Sequence, residues 1–402
     1  MSDLTLVPGA PPDPPGRRAA APLPHYVSRA PYDPYAVERM TATQERFYVA
    51  SQWRMMWWKL RRHRVAVVAG ALLVAMYVGI TMCEFLAPYG VDTRSTDFIY
   101  APPQPVHIFY KGRLVAPFVY GYDYRLDLRR LLRIYTPDPN KRQVLRWFCH
   151  GDSYHFWGLF PGNLHLICPA RGGQLFLLGT DRLGRDLMSR MIYGARISLT
   201  VGLLGVAVSL TLGIVIGGIA GYYGGWTDIL IQRGMEVIQS FPHLPLWMAL
   251  SAILPVDWSP IFVYFGITLI LGMIDWTHLA RAVRSKLLAL REEDFCTAAV
   301  LMGARPARVI GRHLLPSFTS HLIASATLMI PGMILGETAL SFLGLGVRPP
   351  MTSWGVLLSD AQNMNVVALY PWLMLPVVAV IVAVLAFNFF GDGLRDAADP
   401  YH

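Results

Sequence analysis

The sequence predicts an all-α polytopic membrane protein of about six transmembrane helices, with a small, partly β domain inserted between the first and second. Three observations predict it. The 402 residues are 54% hydrophobic and 15% charged, whereas a soluble domain carries about 25% charge. The apolar residues come in blocks long enough for the roughly 20 residues that a membrane helix needs. One stretch outside those blocks, 87–194, is aromatic and strand-like rather than linker-like.

The elements follow in order. Residues 1–40, rich in Pro and Ala, lack the apolar core of a signal peptide and read as a disordered tail. Residues 41–64 include Tyr48, Trp53, Met55, Met56, Trp57 and Trp58, then the cluster Arg61, Arg62, His63 and Arg64. The aromatic part suits a helix lying in the headgroup zone, and the basic cluster retains its side in the cytoplasm. The first span is expected over 65–86 and the second over 197–223. The third is expected over 228–254, kinked at Pro242 and Pro245, with Arg233 and Glu236 forming a local pair where it emerges. The fourth, fifth and sixth follow over 260–278, 322–345 (with Pro331 as a kink) and 372–390, so that 195–390 is the transmembrane core.

Six spans from an inside N-terminus place 281–316 and the C-terminus, 391–402, inside as well. Arg281, Arg284, Lys286, Arg291, Arg305, Arg308 and Arg312 lie in that connection, so the positive-inside rule agrees independently. The net charge of +9 gathers beside predicted membrane ends; it points to membrane lipid, not to nucleic acid. Gly213, Gly217, Gly218 and Gly221 on the second span suit close helix approach.

In the inserted domain, residues 106–110, 118–122 and 174–178 read as short strands. Cys149 and Cys168 both fall there, and an oxidising compartment permits either a disulfide or two free thiols. Cys83 and Cys296 read as small apolar residues. His107, His150, His155 and His165 are scattered and lack metal-site spacing. Glu337 falls inside the fifth span. Either it lines a wet path through the bundle or it bonds to a neighbouring helix, because a lone carboxylate in lipid is costly. Asp275 is read as interfacial. Residues 348–370 are either a re-entrant segment or an ordinary loop.

The most informative stretch is 293–316. It reads as a short helix, a break at Gly303, and a second helix opened by Pro306. Ala298 and Ala299 are small enough for another protein surface to approach. The order Ala298, Ala299, Gly303, His313, Pro316 resembles the "EAA" loop of permeases from ATP-driven (ABC) importers, with Thr297 standing where that motif has Glu. Three further blocks carry the resemblance: 179–196 (Gly-Thr-Asp-Arg-Leu-Gly-Arg-Asp onward), 337–346 and 391–400. Together they resemble C-type permease subunits of dipeptide and oligopeptide importers over about Met55 to Pro400, except for the enlarged insertion, which looks like that of some oligosaccharide-importing relatives.

The resemblance implies a type I importer permease fold in a bacterial inner membrane. It implies a coupling helix near 295–305 that docks in a cleft of an ATPase, with Thr297, Ala298, Ala299, Gly303, Arg305, His313 and Pro316 as its coupling residues. It also implies a B-type permease partner, two ATPase subunits holding ATP and Mg, and a periplasmic substrate-binding protein. The chain has no Gly-x-x-x-x-Gly-Lys-[Ser/Thr] phosphate loop, so it is expected to bind no cofactor and to catalyse nothing itself. Peptides are the expected substrate and oligosaccharides the alternative. An ion-driven secondary transporter is a second alternative, and it would need buried acidic relays in several spans.

Overall fold

The computed structural model describes residues 50–129 and 132–398. The expected tail over 1–40, most of the segment before Ser51 and the last four residues lie outside the described part. Helix α1 (Gln52–Arg62) turns at His63 into α2 (Arg64–Thr81), which is followed by the single turn α3 (Cys83–Leu86). His63 Nδ1 accepts the Ala66 amide at 3.2 Å, capping the start of α2. On α1, Met56 and Leu60 pack towards the bundle beside Ala66, Ala324, Leu394 and Ala397, while Trp53 and Trp57 stay exposed.

The inserted domain holds two antiparallel sheets. Strands β1 (His107–Tyr110), β2 (Arg113–Asp127) and β3 (Leu132–Val144) form one, and β4 (Arg146–Phe156) and β5 (Phe160–Cys168) form a separate hairpin. The expected strand at 106–110 overlaps β1 and that at 118–122 falls within β2. The third, 174–178, is not a strand. Its amides are satisfied singly instead: Gln174 N donates to Gln143 Oε1, Leu175 N to Tyr89 Oη and Phe176 N to Gln104 Oε1. Strands β3, β4 and β5 were not anticipated; Pro137 and Pro139 mask the periodicity of β3, and Pro161 that of β5.

The bundle continues with α4 (Leu187–Tyr223), α5 (Gly225–Gln239), α6 (His243–Ala252) and α7 (Pro260–Leu290). Next come α8 (Asp294–Leu301), a helical run from Pro306 to Ser317 that is π-wound over Val309–Leu314, and α9 (Thr319–Phe342). The short helices α10 (Trp354–Ser359) and α11 (Met364–Leu369) precede α12 (Leu375–Ala398). Among the described residues, five helices are long and apolar enough to cross a bilayer: α2, α4, α7, α9 and α12.

The expected third span is the exception. It is divided into α5 and α6, of 15 and 10 residues, each shorter than the roughly 20 that a single crossing takes. Pro242 makes the break, because it donates no N–H and pushes the preceding residue out of the helical region. Pro245 then sits in the first turn of α6, where a missing N–H costs little. The fifth-span helix, in contrast, runs through Pro331 uninterrupted. The fourth span is longer than expected: α7 carries on through Arg281, Arg284 and Lys286 to Leu290, so ten residues assigned to a loop are helix.

Helices α4 and α7 pack along most of their length through glycines. A methyl group at Gly221 would stand 2.8 Å from Arg284 O, one at Gly213 2.9 Å from Leu279 Cβ, and one at Gly272 2.7 Å from Val208 Cβ; Gly217 faces the Ala280 backbone. Gly218 is in ordinary contact only. Leu199, Val206, Ile267, Leu271, Met333 and Ile334 fill the core between α4, α7 and α9.

Candidate functional site

The segment 290–318 lies at the end of the bundle opposite the β domain, where Arg291 Nη1 reaches Tyr222 O at the end of α4, 3.3 Å away. Cys296 and Ala299 on α8 are buried against a cluster containing Leu287, Val309, Leu314 and Phe318. Thr297 and Ala298 face outward. The Thr297 hydroxyl folds back 3.4 Å from the Glu293 carbonyl.

Helix α8 ends at Gly303, whose φ of +82° places it in the left-handed region. Gly303 N donates to Val300 O (2.9 Å) and Ala304 N to Ala299 O (3.1 Å), the paired bonds of a Schellman cap. A Cβ on Gly303 would meet nothing within 4 Å, so backbone conformation, not space, selects glycine here. Arg305 is extended and exposed, and Pro306 opens the next helical turn. His313 is half-buried and Pro316 exposed.

The outward side of α8 is apolar. Leu301 is 83% and Met302 81% exposed, with Phe295 and Val300 beside them, and Glu292, Glu293, Asp294, Arg305 and Arg308 are exposed around that knob. An apolar projection with a charged rim is the form of a protein-docking surface. Behind it, Arg284 on α7 grips the Asp228 carboxylate on α5 with two nitrogens. Arg281 Nη2 donates to Gln239 Oε1 (2.7 Å), whose amide donates to Thr277 Oγ1 (2.9 Å). The base of the divided third span is thus pinned to the helix that leads into α8. Arg233 and Glu236 pair locally at 2.7 Å. Asp275 bonds His243 Nδ1 at 3.0 Å across the α6–α7 contact.

Glu337, the candidate pathway residue, is wholly enclosed within this chain. Ser198 Oγ donates to Oε2 (2.9 Å) and Ser341 Oγ to Oε1 (2.7 Å). Ser198 in turn accepts the Trp354 amide at 3.2 Å. The carboxylate therefore ties α4, α9 and α10 together. Residues 348–370 are held against α4 as well: Trp354 Nε1 donates to Met191 O (3.1 Å), and Trp354 is 2% exposed.

At the β-domain end, sequence reasoning missed two charge constellations. In the first, Asp181 Oδ2 receives Arg185 Nε (2.7 Å) and Arg190 Nη1 (2.5 Å). Arg190 Nη1 lies 3.8 Å from Asp360 Oδ2, and Arg182 holds the other Asp360 oxygen at 3.1 Å. Burial raises the Asp360 carboxyl above its ordinary range against the pull of these arginines. Asp186 caps α4 by accepting Ser189 N and Oγ, both at 2.7 Å. Complete burial pushes its carboxyl up to about 6.

In the second constellation, Arg196 on α4 donates to both oxygens of Glu84 on α3 and lies 4.3 Å over the Trp157 ring. Two opposite charges near the facing ends of consecutive spans were the available signal. A cavity of about 610 Å³ opens here, walled by Trp157, Tyr193, Arg196, Thr200, Tyr264 and Thr352. Cys149 and Cys168 are joined as a disulfide across β4 and β5. His165 braces the same hairpin, with Nδ1 2.6 Å from Ala87 O and Nε2 2.9 Å from Asp152 O.

The family described as "Binding-protein-dependent transport system inner membrane component" matches residues 213–401. The "N-terminal TM domain of oligopeptide transport permease C" matches residues 51–103. The chain is 41% identical over 239 residues to the oligopeptide transport system permease protein OppC of Haemophilus influenzae, an alignment covering 59% of this chain and 74% of that protein.

The chain belongs to this permease family. Other members of the family are similar at the same level. The dipeptide transport system permease protein DppC of Alkalihalophilus pseudofirmus is 42% identical, with 55% of this chain and 71% of that protein aligned. The glutathione transport system permease protein GsiD of Pectobacterium atrosepticum is 39% identical, with 56% and 72% aligned. Among solved structures, the inward-facing MetNI methionine ABC transporter matches with a TM-score of 0.42 at 16% identity, covering 53% of this chain and 98% of that one. The permease family's two matched regions flank most of the β domain, which they leave out.

Proposed function

We propose that this chain is one permease half of an importer for peptides, driven by ATPase subunits that dock on the 295–305 segment. The observation that carries this reading is the α8 knob: Phe295, Val300, Leu301 and Met302 project outward, while Cys296 and Ala299 lock the same helix to the bundle. A surface that is exposed on one side and rigidly seated on the other transmits displacement rather than absorbing it. Thr297, Ala298, Ala299, Gly303 and Arg305 belong to this docking segment, and His313 and Pro316 to the helical run that follows it.

The pathway is completed by a B-type permease partner, with two ATPases binding ATP and Mg and a periplasmic binding protein delivering substrate. In this reading the chain sits in a bacterial inner membrane with both termini cytoplasmic and the β domain periplasmic. The basic residues of α1, α7 and the 305–312 run gather at the end opposite the β domain, as the positive-inside rule requires. Alternating access then follows if ATP closes the ATPases around α8 in one bundle conformation more tightly than in the other.

Replacing Gly303 with valine tests the coupling assignment. The variant is expected to insert normally and to lose substrate-stimulated ATP hydrolysis in the assembled complex; unchanged stimulation would remove the assignment. Thermal-shift screening of the partner binding protein against peptides and oligosaccharides decides the substrate class, and a shift with oligosaccharides alone would overturn peptides.

A further inference from the structure

Strands β4 and β5 meet in a three-residue loop, Trp157-Gly158-Leu159, between the paired Phe156 and Phe160. From Ser153 to Asn163 the hairpin carries no Asp, Glu, Lys or Arg. The other sheet, by contrast, bears Arg125, Asp138, Lys141 and Arg142. Leu159 is 73%, Phe160 67% and Phe148 66% exposed, with Trp147 and Trp157 about half exposed. A hairpin turned to water does not usually present five large apolar side chains together.

The position of the tip along the membrane normal is fixed by hydrogen bonds. Trp157 Nε1 donates to Thr81 O at 3.0 Å and Trp157 N to Glu84 Oε1 at 3.3 Å; Phe148 lies 6.1 Å from Phe85 between ring centroids. Thr81 is the last residue of α2. Eighteen helical residues extend about 27 Å, close to the roughly 30 Å of a hydrocarbon core. Thr81 therefore lies at the membrane boundary, and so does the hairpin tip bonded to it. Val74 and Val78 on α2 and Met82 just after it, all exposed, continue as an apolar stripe towards the tip.

We infer that the β4–β5 hairpin is a membrane anchor, with Phe148, Trp157, Leu159 and Phe160 inserted in the headgroup and upper acyl region of the leaflet on the β-domain side. Aromatic side chains favour that zone. The occupant of this face is lipid, because the tip continues the exposed apolar stripe of a spanning helix and its 153–163 segment carries no Asp, Glu, Lys or Arg for a polar partner to match. The disulfide and His165 stiffen the hairpin behind the tip, so insertion orders little additional chain. This inference does not depend on the transported substrate.

The test is a spin label on the full-length chain in lipid nanodiscs. Cys149 and Cys168 are paired, and Cys83 and Cys296 are buried, so a single added cysteine is the site labelled. Leu159→Cys and Phe160→Cys replace exposed side chains and leave the fold intact; Arg113→Cys on β2 is the aqueous reference. Collisional relaxation by oxygen, relative to a water-soluble nickel chelate, is expected to be several-fold higher at 159 and 160 than at 113. A ratio equal to that at 113 would place the tip in water and overturn the anchor. Shielding from both reagents would mean that protein covers the tip, and would equally overturn it.

Discussion

Arg196 holds Glu84 through two parallel bonds, Nη1 to Oε1 at 2.8 Å and Nη2 to Oε2 at 2.6 Å. The pair joins the turn after the first span to the start of the second, and its arginine also supports Trp157 of the inserted hairpin. One guanidinium thus seats the β domain on the bundle.

Removing either partner leaves the other charge largely buried and uncompensated, at a cost of about 3 kcal/mol or more. Arg196→Met and Glu84→Gln are therefore each expected to lower the thermal unfolding midpoint of the detergent-solubilised protein. The double variant is expected to lose less than the sum of the two. Additive losses would show that the two groups act independently.

Gly303 offers a graded test, because its backbone and not its surroundings excludes side chains. Asparagine tolerates the left-handed region better than other residues with a Cβ. Gly303→Asn is expected to retain most coupled ATP hydrolysis, Gly303→Ala less, and Gly303→Val least. Equal activity across the series, read as substrate-stimulated phosphate release, would contradict the cap.

Asp186 should make the protein's stability depend on pH. Its carboxyl titrates near 6 in the fold and near 4 when unfolded, so between those values the folded state holds more protons. Stability then falls as pH rises from about 4 to 6. Asp186→Asn keeps an oxygen for the Ser189 cap and removes the titration. The slope of unfolding midpoint against pH over that window is expected to become less negative in the variant; an unchanged slope would assign it to other groups.

Glu337 is bonded by Ser198 and Ser341 inside the bundle. Glu337→Gln retains an acceptor and is expected to fold and transport with little change. Glu337→Leu strands two buried hydroxyls at about 1–3 kcal/mol each, and is expected to lower the unfolding midpoint clearly. A strong transport defect in the glutamine variant without loss of stability would restore a role for the charge itself.

Long uniform apolar blocks made five helices readable from sequence, since lipid imposes a length and a composition at once. The third span was not readable as two helices: Pro242 announced a distortion, but whether a proline bends or divides a helix depends on what packs beside it, and α9 runs through Pro331 intact. The helix, break and helix of 293–316 were readable because Gly303 and Pro306 act locally. The roles of Glu84, Asp181, Asp360 and Trp157 were not, because each depends on a partner between 9 and 178 residues away along the chain. Gln174–Leu178 has the composition of a strand, but the amides of Gln174, Leu175 and Phe176 bond side chains instead.

The glycine contacts between α4 and α7 carry a mechanical consequence. At Gly213, Gly221 and Gly272 the two helices meet without side-chain padding on one side, so there is no rotamer there to flex under load. Helix α7, about 46 Å long at 1.5 Å per residue, leads at its far end into α8. The two helices thus form a stiff double beam that runs from the α8 end of the bundle to the other face of the membrane.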